Sequence, residues 1–229
     1  MKRSKINERI RDAIAFFESH RFVLPRFANW TPEEWRRRRG EIGELIDRGL
    51  GWDVTDFGQG RFDQVGLLLF TMRNGRPEDL AAGTGKVYAE KAMIVGVDQR
   101  TPMHHHTSKT EDIIVRGGGT LRVQVYGVDV EDELSADDVC IFLDGISRTV
   151  PAGDVIALGP GESVTLTPEI YHSFWAEGDR VLAGEVSTVN DDEADNTFHE
   201  AVGRFPEIDE DEAPLRLLVG DYVRLLRDP

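Results

Sequence analysis

Apolar residues recur at helical spacing near the two ends of the chain, and between them the pattern becomes short and alternating. Ile6, Ile10, Ile14 and Phe17 form one stripe with charges between them, which predicts an amphipathic helix. Thr31-Pro32-Glu33-Glu34 reads as a helix start. The Thr31 side chain can accept a backbone N–H, Pro32 suits the first helical position, and Glu34 can close a capping box. Trp35, Ile42, Leu45 and Ile46 continue one face of that helix, and Gly49 marks its end. From Gly51 onward β-rich segments dominate, over 65–72, 87–95, 120–126, 148–151, 154–158, 163–166 and 180–189. Turn signals fall between them at Asn74-Gly75, Gly117-Gly118-Gly119, Asp144-Gly145, Ala152-Gly153, Pro160-Gly161 and Gly178-Asp179. Many short strands at this spacing predict a β-sandwich or barrel. Segments 190–193 and 207–212 read as acidic loops, and 215–226 as a final short helix. The expectation is a mainly β protein with helical additions at both termini. Residues 1–50 form a helical extension, and 51–229 form a barrel with a C-terminal loop and short helix, all one folded unit.

Composition narrows the partners. Lys and Arg number 27 against 42 Asp and Glu, a net charge of −15. Nucleic acid and anionic membrane surfaces both demand a basic footprint, so neither is expected as a partner. The single cysteine, Cys140, excludes a disulfide framework and a Cys-based zinc site within one chain. Glu8, Arg9, Arg11 and Asp12 interrupt any apolar core of a leader segment, and no apolar run approaches a membrane span. These features predict a cytoplasmic protein.

The candidate chemistry lies in the histidines. His104, His105 and His106 stand together. In an extended stretch His104 and His106 share one face and His105 turns to the other, so His105 is not expected to be a ligand. Glu111 follows just before an apolar run, and His172 stands in a later β-rich stretch. Three imidazoles and one carboxylate suit Mn, Fe, Co, Ni or Zn and leave positions for a substrate. The spacing His104-x-His106-x4-Glu111-x6-Gly118 resembles the first cupin motif. Pro168-x3-His172, preceded by a turn at Gly161, resembles the second, one residue tighter and with Ile170 in place of a glycine. A cupin-type jelly-roll barrel brings two such hairpins together at its mouth.

A more specific resemblance rests on short segments spread along the chain. The first are Gly51-Trp52-Asp53-Val54-Thr55-Asp56-Phe57-Gly58, Leu69-Phe70-Thr71-Met72-Arg73-Asn74-Gly75 and Tyr88-Ala89-Glu90-Lys91. Pro102-Met103-His104, Glu111-Asp112-Ile113-Ile114 and Arg116-Gly117-Gly118-Gly119 surround the first motif. Tyr171-His172-Ser173-Phe174-Trp175, Glu185-Val186-Ser187, Asn190-Asp191-Asp192, Asp195-Asn196 and Arg204-Phe205-Pro206 follow. Together they resemble the D-lyxose isomerase family of cupins. The resemblance implies interconversion of D-lyxose with D-xylulose, and of D-mannose with D-fructose, on a divalent ion. That ion would be Mn2+ in the first place, with Co2+ or Zn2+ as alternatives, held by His104, His106, Glu111 and His172. It also implies a homodimer, and lysines at Lys91 and Lys109 that line the sugar site.

Aldose–ketose isomerisation through an enediolate needs a proton shuttle, which a carboxylate can supply. Glu210 is the first candidate and Asp192 the second, among acidic residues that include Asp195 and Glu207 and otherwise read as solvated loops. Lys109 and Lys91 can stabilise a developing oxyanion. Arg204 is a candidate for a sugar hydroxyl, and Trp175 for a stacking surface, with core packing as the other reading. Two further functions share the ligand set: an Fe(II)-dependent dioxygenase and a non-catalytic sugar-binding cupin.

Overall fold

A computed structural model describes residues 1–191, 194–203 and 206–225. Helix α1, Arg3–Ser19, follows the predicted stripe and buries Ile6, Ile10, Ala13, Phe16 and Phe17. They pack on Trp52, Val54, Leu68, Phe70 and Ile94 of the sheet beneath. The capping box is present: Glu34 N–H donates to Thr31 Oγ1 at 3.2 Å, and Thr31 N–H to Glu34 Oε2 at 2.8 Å. Such a cap contributes about 1 kcal/mol. The helix it opens is shorter than expected. It breaks into α2, Pro32–Arg37, and α3, Gly43–Asp47. Gly40 lies in the break, where its backbone entropy disfavours helix, and Ile42 drops into a small core with Trp35, Leu217 and Tyr222.

The rest is mainly antiparallel β-structure, eleven strands among the described residues. Two long strands organise it: β5, Glu111–Gly127, and β10, Ile170–Thr188. They pair with each other along most of their length, and each lends one half to each of two facing layers. The larger layer starts with β1 (Gly51–Thr55), β2 (Leu67–Arg73) and β3 (Tyr88–Val95). It continues through β10 and β5 to β9 (Ser163–Leu166), β6 (Val139–Leu143) and β7 (Ile146–Val150). In the other layer β4, His104–His106, flanks β10, with β11, Asn196–Phe198, outside it. There β8, Val155–Leu158, flanks β5. The inner faces of both layers supply one apolar core, including Val115, Leu121, Val123, Phe174, Val181 and Ala183. This is the cupin-type jelly roll. Short helices α4, Pro77–Ala82, and α5, Tyr222–Leu225, complete the described chain.

The glycine signals at 117–119 and 178–179 do not mark turns. Both β5 and β10 run through them as a paired bulge, with register shifts between Glu177 and Val181 and between Leu182 and Ala183. Gly118 has φ +93° and Gly178 φ +81°, conformations that favour glycine. A Cβ on Gly118 would meet the Arg180 carbonyl oxygen at 2.0 Å. The bulge has a consequence for side-chain direction. Before it, even positions of β10 face inward (His172, Phe174, Ala176); after it, odd positions do (Val181, Ala183, Glu185).

Candidate active site

Alternation delivers the site. His104 and His106 face inward from β4, and His172 is the cross-strand partner of His104. One ligand atom from each of the three lies within 4.8 Å of those of the other two. His105 turns to the back of the strand, where its Nε2 lies 3.1 Å from Asp132 Oδ1 and its ring packs on Tyr171. Glu111, the first residue of β5, reaches the same cluster. Its Oε1 lies 3.1 Å from His172 Nε2 and its Oε2 3.5 Å from His106 Nε2.

The second nitrogen of each imidazole is already committed. Nδ1–H of His104 donates to Pro102 O at 2.9 Å, that of His172 to Ile170 O at 3.0 Å, and that of His106 to Asp195 O at 3.3 Å. A carbonyl only accepts, so each Nδ1 carries a proton, and Nε2 is the nitrogen turned toward the cluster that can meet a cation. Nε2 of His106 and of His172 are buried with no hydrogen-bond partner. Burial, with His172 and His106 beside it, holds His104 well below the usual imidazole range. Burial likewise lowers His106. Burial alone would raise Glu111, but Lys109 and His106 outweigh it and hold the carboxyl well below its ordinary value. A divalent cation requires neutral imidazoles and an ionised carboxylate, and the directions at His104, His106 and Glu111 match that need. These residues therefore fit a metal of that charge.

Beside the donors is a cavity of about 50 Å³. One wall is polar. Lys109 Nζ lies 2.7 Å from Glu111 Oε2 and 3.2 Å from Glu185 Oε1. Lys91 Nζ lies 3.1 Å from the same Glu185 oxygen and donates to Asn190 Oδ1 at 2.5 Å. The rest of the lining is largely apolar, with Phe57, Leu69, Met93, Phe174 and Phe198. Burial would raise Glu185, yet Lys109 and Lys91 prevail and its carboxyl stands below the ordinary value. It is an ionised carboxylate lining the cavity.

The structure thus brings together His104, His106, Glu111, His172, Lys109 and Lys91. It does not bring Glu210 or Trp175. Glu210 accepts from Arg3 Nε and NH2, both at 2.9 Å, and from Arg224, and does not line the cavity. The Arg3 hydrogen bonds hold its carboxyl at about 2 and commit both of its oxygens. Trp175 sits at an odd position before the bulge and faces outward, where the Arg100 guanidinium covers its ring at 3.5 Å. Asp192 and Arg204 lie outside the described residues. The carboxylate that sequence reasoning passed over is Glu185. The available signal was an acidic residue in the apolar run Val181-Leu182-Ala183-Gly184-Glu185-Val186, on the same alternation as Val181 and Ala183.

A jelly roll whose mouth carries three inward imidazoles and a carboxylate defines a cupin-fold protein with a candidate metal centre. The L-ribose isomerase of Cellulomonas parahominis, solved with L-ribose, shares the fold at TM-score 0.59 and 20% identity, covering 91% of this chain and 98% of that one. A family model described as D-lyxose isomerase matches residues 1–222, and the chain belongs to that family; it is an aldose–ketose isomerase. A D-lyxose/D-mannose isomerase of Serratia proteamaculans is 46% identical over 99% of this chain and 100% of its own. One from Escherichia coli O157:H7 is 45% identical over 97% of this chain and 98% of its own.

Proposed function

We propose that the protein interconverts D-lyxose with D-xylulose, and D-mannose with D-fructose, with a divalent cation held by His104, His106, Glu111 and His172. The names of the two similar relatives support the substrates. Mn2+ suits three nitrogens and one carboxylate, as do Co2+ and Zn2+. Bound there, the cation supplies Lewis acidity to the sugar's carbonyl and neighbouring hydroxyl.

The observation that carries the reading is Glu185, an ionised carboxylate bracketed by two ammonium groups and facing the same cavity as the four donors. Isomerisation moves one proton from C2 of the aldose to C1 and another from O2 to O1. Glu185 takes the carbon-bound proton and returns it, so a single base serves both carbons of the enediolate. Lys109 and Lys91 hold positive charge beside the oxygens on which negative charge develops. Phe57, Phe174 and Phe198 limit water at the reacting carbons.

The test is a sugar panel assayed without oxygen, using chelated protein with Mn2+ added back. Ketose formed from D-lyxose and D-mannose is the expected result. Product that appears only with oxygen would replace the isomerase by a dioxygenase, and no turnover at all would leave a sugar-binding cupin. In D2O the product should carry deuterium at C1 or C2; its absence would favour a hydride shift and remove the base role of Glu185. The reading includes cytoplasmic location and a homodimer. Among the described residues no helix is long and apolar enough to cross a membrane. The hairpin β6–β7 ends the larger layer with Phe142 and Ile146 exposed, a surface a second copy can cover. Light scattering at twice the chain mass is the expected outcome.

A further inference from the structure

Asp195 precedes β11 and is 8% exposed. Its carboxylate does not point to solvent. Oδ1 accepts from both the main-chain N–H and the hydroxyl of Ser108, each at 2.8 Å. Its main-chain oxygen accepts from His106 Nδ1 at 3.3 Å. Oδ2 is buried with no hydrogen-bond partner, 3.8 Å from that same Nδ1. The next residue, Asn196, is the ladder partner of His106. One residue therefore grips both His106 and Ser108, on either side of Thr107, in the turn that leads to Lys109. An acidic residue serving only solubility would make none of these contacts.

We infer that Asp195 is a positioning residue for the isomerase site, tying the His106 imidazole to the turn that aims Lys109. The inference rests on the proposed metal-dependent isomerase. The side chain acts through Ser108. With the carboxylate in place, the Ser108 turn is closed, and Lys109 leaves it toward Glu111 and Glu185. Without it, the Ser108 N–H and hydroxyl lose the carboxylate that holds the turn closed. The connection then loosens at the point where it carries one donor and one cation. Groups that orient metal-binding histidines from behind typically account for about 10–100-fold in affinity.

The experiment measures the Mn2+ dissociation constant by chelator competition, together with kcat and KM, for wild type, Asp195→Ala and Asp195→Asn. Asp195→Ala should bind Mn2+ about 10–100-fold more weakly, and its kcat should fall more than its KM rises. Asp195→Asn keeps a side-chain oxygen for Ser108 and should recover most of the affinity. Mn2+ affinity of Asp195→Ala within two-fold of wild type would overturn the proposal, even with a lowered melting temperature, because the role would then be structural only. Asp195→Asn as weak as Asp195→Ala would also overturn it, since charge and not the Ser108 contact would be responsible. Wild-type protein that neither binds Mn2+ nor isomerises either sugar would sink the functional reading and this inference together. An active, Mn2+-binding wild type beside an unaltered Asp195→Ala sinks this inference alone.

Discussion

Two clusters of opposite charges lie within this protein, built from similar ingredients and put to different ends. Near the termini, Arg3 is 0% exposed and spans two carboxylates. Its guanidinium donates to both oxygens of Glu210 and, at 3.0 and 2.6 Å, to both oxygens of Asp221. Asp221 also accepts from Leu218 N–H at 2.9 Å, and Arg224 adds a further bond to Glu210. In the cavity the cations are lysines. Lys109 is shared between Glu111 and Glu185, and Glu185 between Lys109 and Lys91. A guanidinium is a rigid fork that stays charged, so the terminal cluster is saturated and binds the first turn of α1 to the C-terminal segment. An ammonium is a compact charge with rotatable donors, and Glu185 keeps acceptor capacity on a side that faces open space. The difference teaches that a carboxylate's role follows from what its partners leave uncommitted and from whether a cavity adjoins it, not from acidity or loop position.

The contrast can be broken most directly at the two glutamates. Glu185→Gln should lower turnover by ~10²–10⁴-fold, the usual worth of a positioned base, with bound metal retained. Glu210→Gln should leave kcat within two-fold of wild type. Equal losses in the two variants would erase the distinction.

Arg3→Ala probes the terminal cluster from its cation. It strands the buried Asp221, a change that costs about 3–5 kcal/mol, read as a shift in urea unfolding. The folded fraction should isomerise sugar at the wild-type rate, and a lowered kcat per folded molecule would show that the clamp reaches the site. Lys109→Ala tests the cavity cluster in the same way and should cost ~10²–10³ in kcat. Its metal content by elemental analysis should match wild type. A fall in metal content parallel to activity would mean that Lys109 serves Glu111 rather than the sugar.

The smallest effect is in acid. Glu210 stands at about 2 in the folded protein, below the ~4.3 of an unfolded glutamate. Its contribution to stability is complete above the unfolded value and is lost as pH falls through the folded one. Glu210→Gln should therefore be less stable than wild type at neutral pH, with the gap closing between about pH 4 and pH 2. Urea midpoints across that range check it. A gap that stays constant with pH would show that the Arg3 bonds do not depend on the charge of Glu210.

Much of this was legible along the chain. Helical spacing located α1, the Thr31–Glu34 signature located the start of α2, and alternation with turn residues identified a β architecture. The alternation at 104–106 separated His105 from its neighbours, and spacing that resembles the two cupin motifs marked Glu111 and His172 as companions. These features are local: a period, a cap or a pair of faces is set by backbone geometry within a few residues. The family resemblance added Lys91 and Lys109 at positions that do face the cavity. Local reading also missed elements. Strand β11 pairs with the distant β4, and β6 went unread although Asp144-Gly145 joins it to β7.

Tertiary structure alone decided the rest, because it concerns which distant segments meet. Glycines that look like turn residues lie within continuous strands, and only the pairing of β5 with β10 shows them to be a bulge. That bulge changes which parity faces inward, so Glu185 shares an interior with His172 while Trp175 does not. No period read along one strand carries that information. Glu210 looked as free as any acidic loop residue until the fold placed Arg3, 207 positions away, against it. Sequence by itself determined the inventory of donors and the faces on which neighbours lie. The long-range pairing determined which carboxylate meets lysines beside a cavity and which meets an arginine that satisfies it.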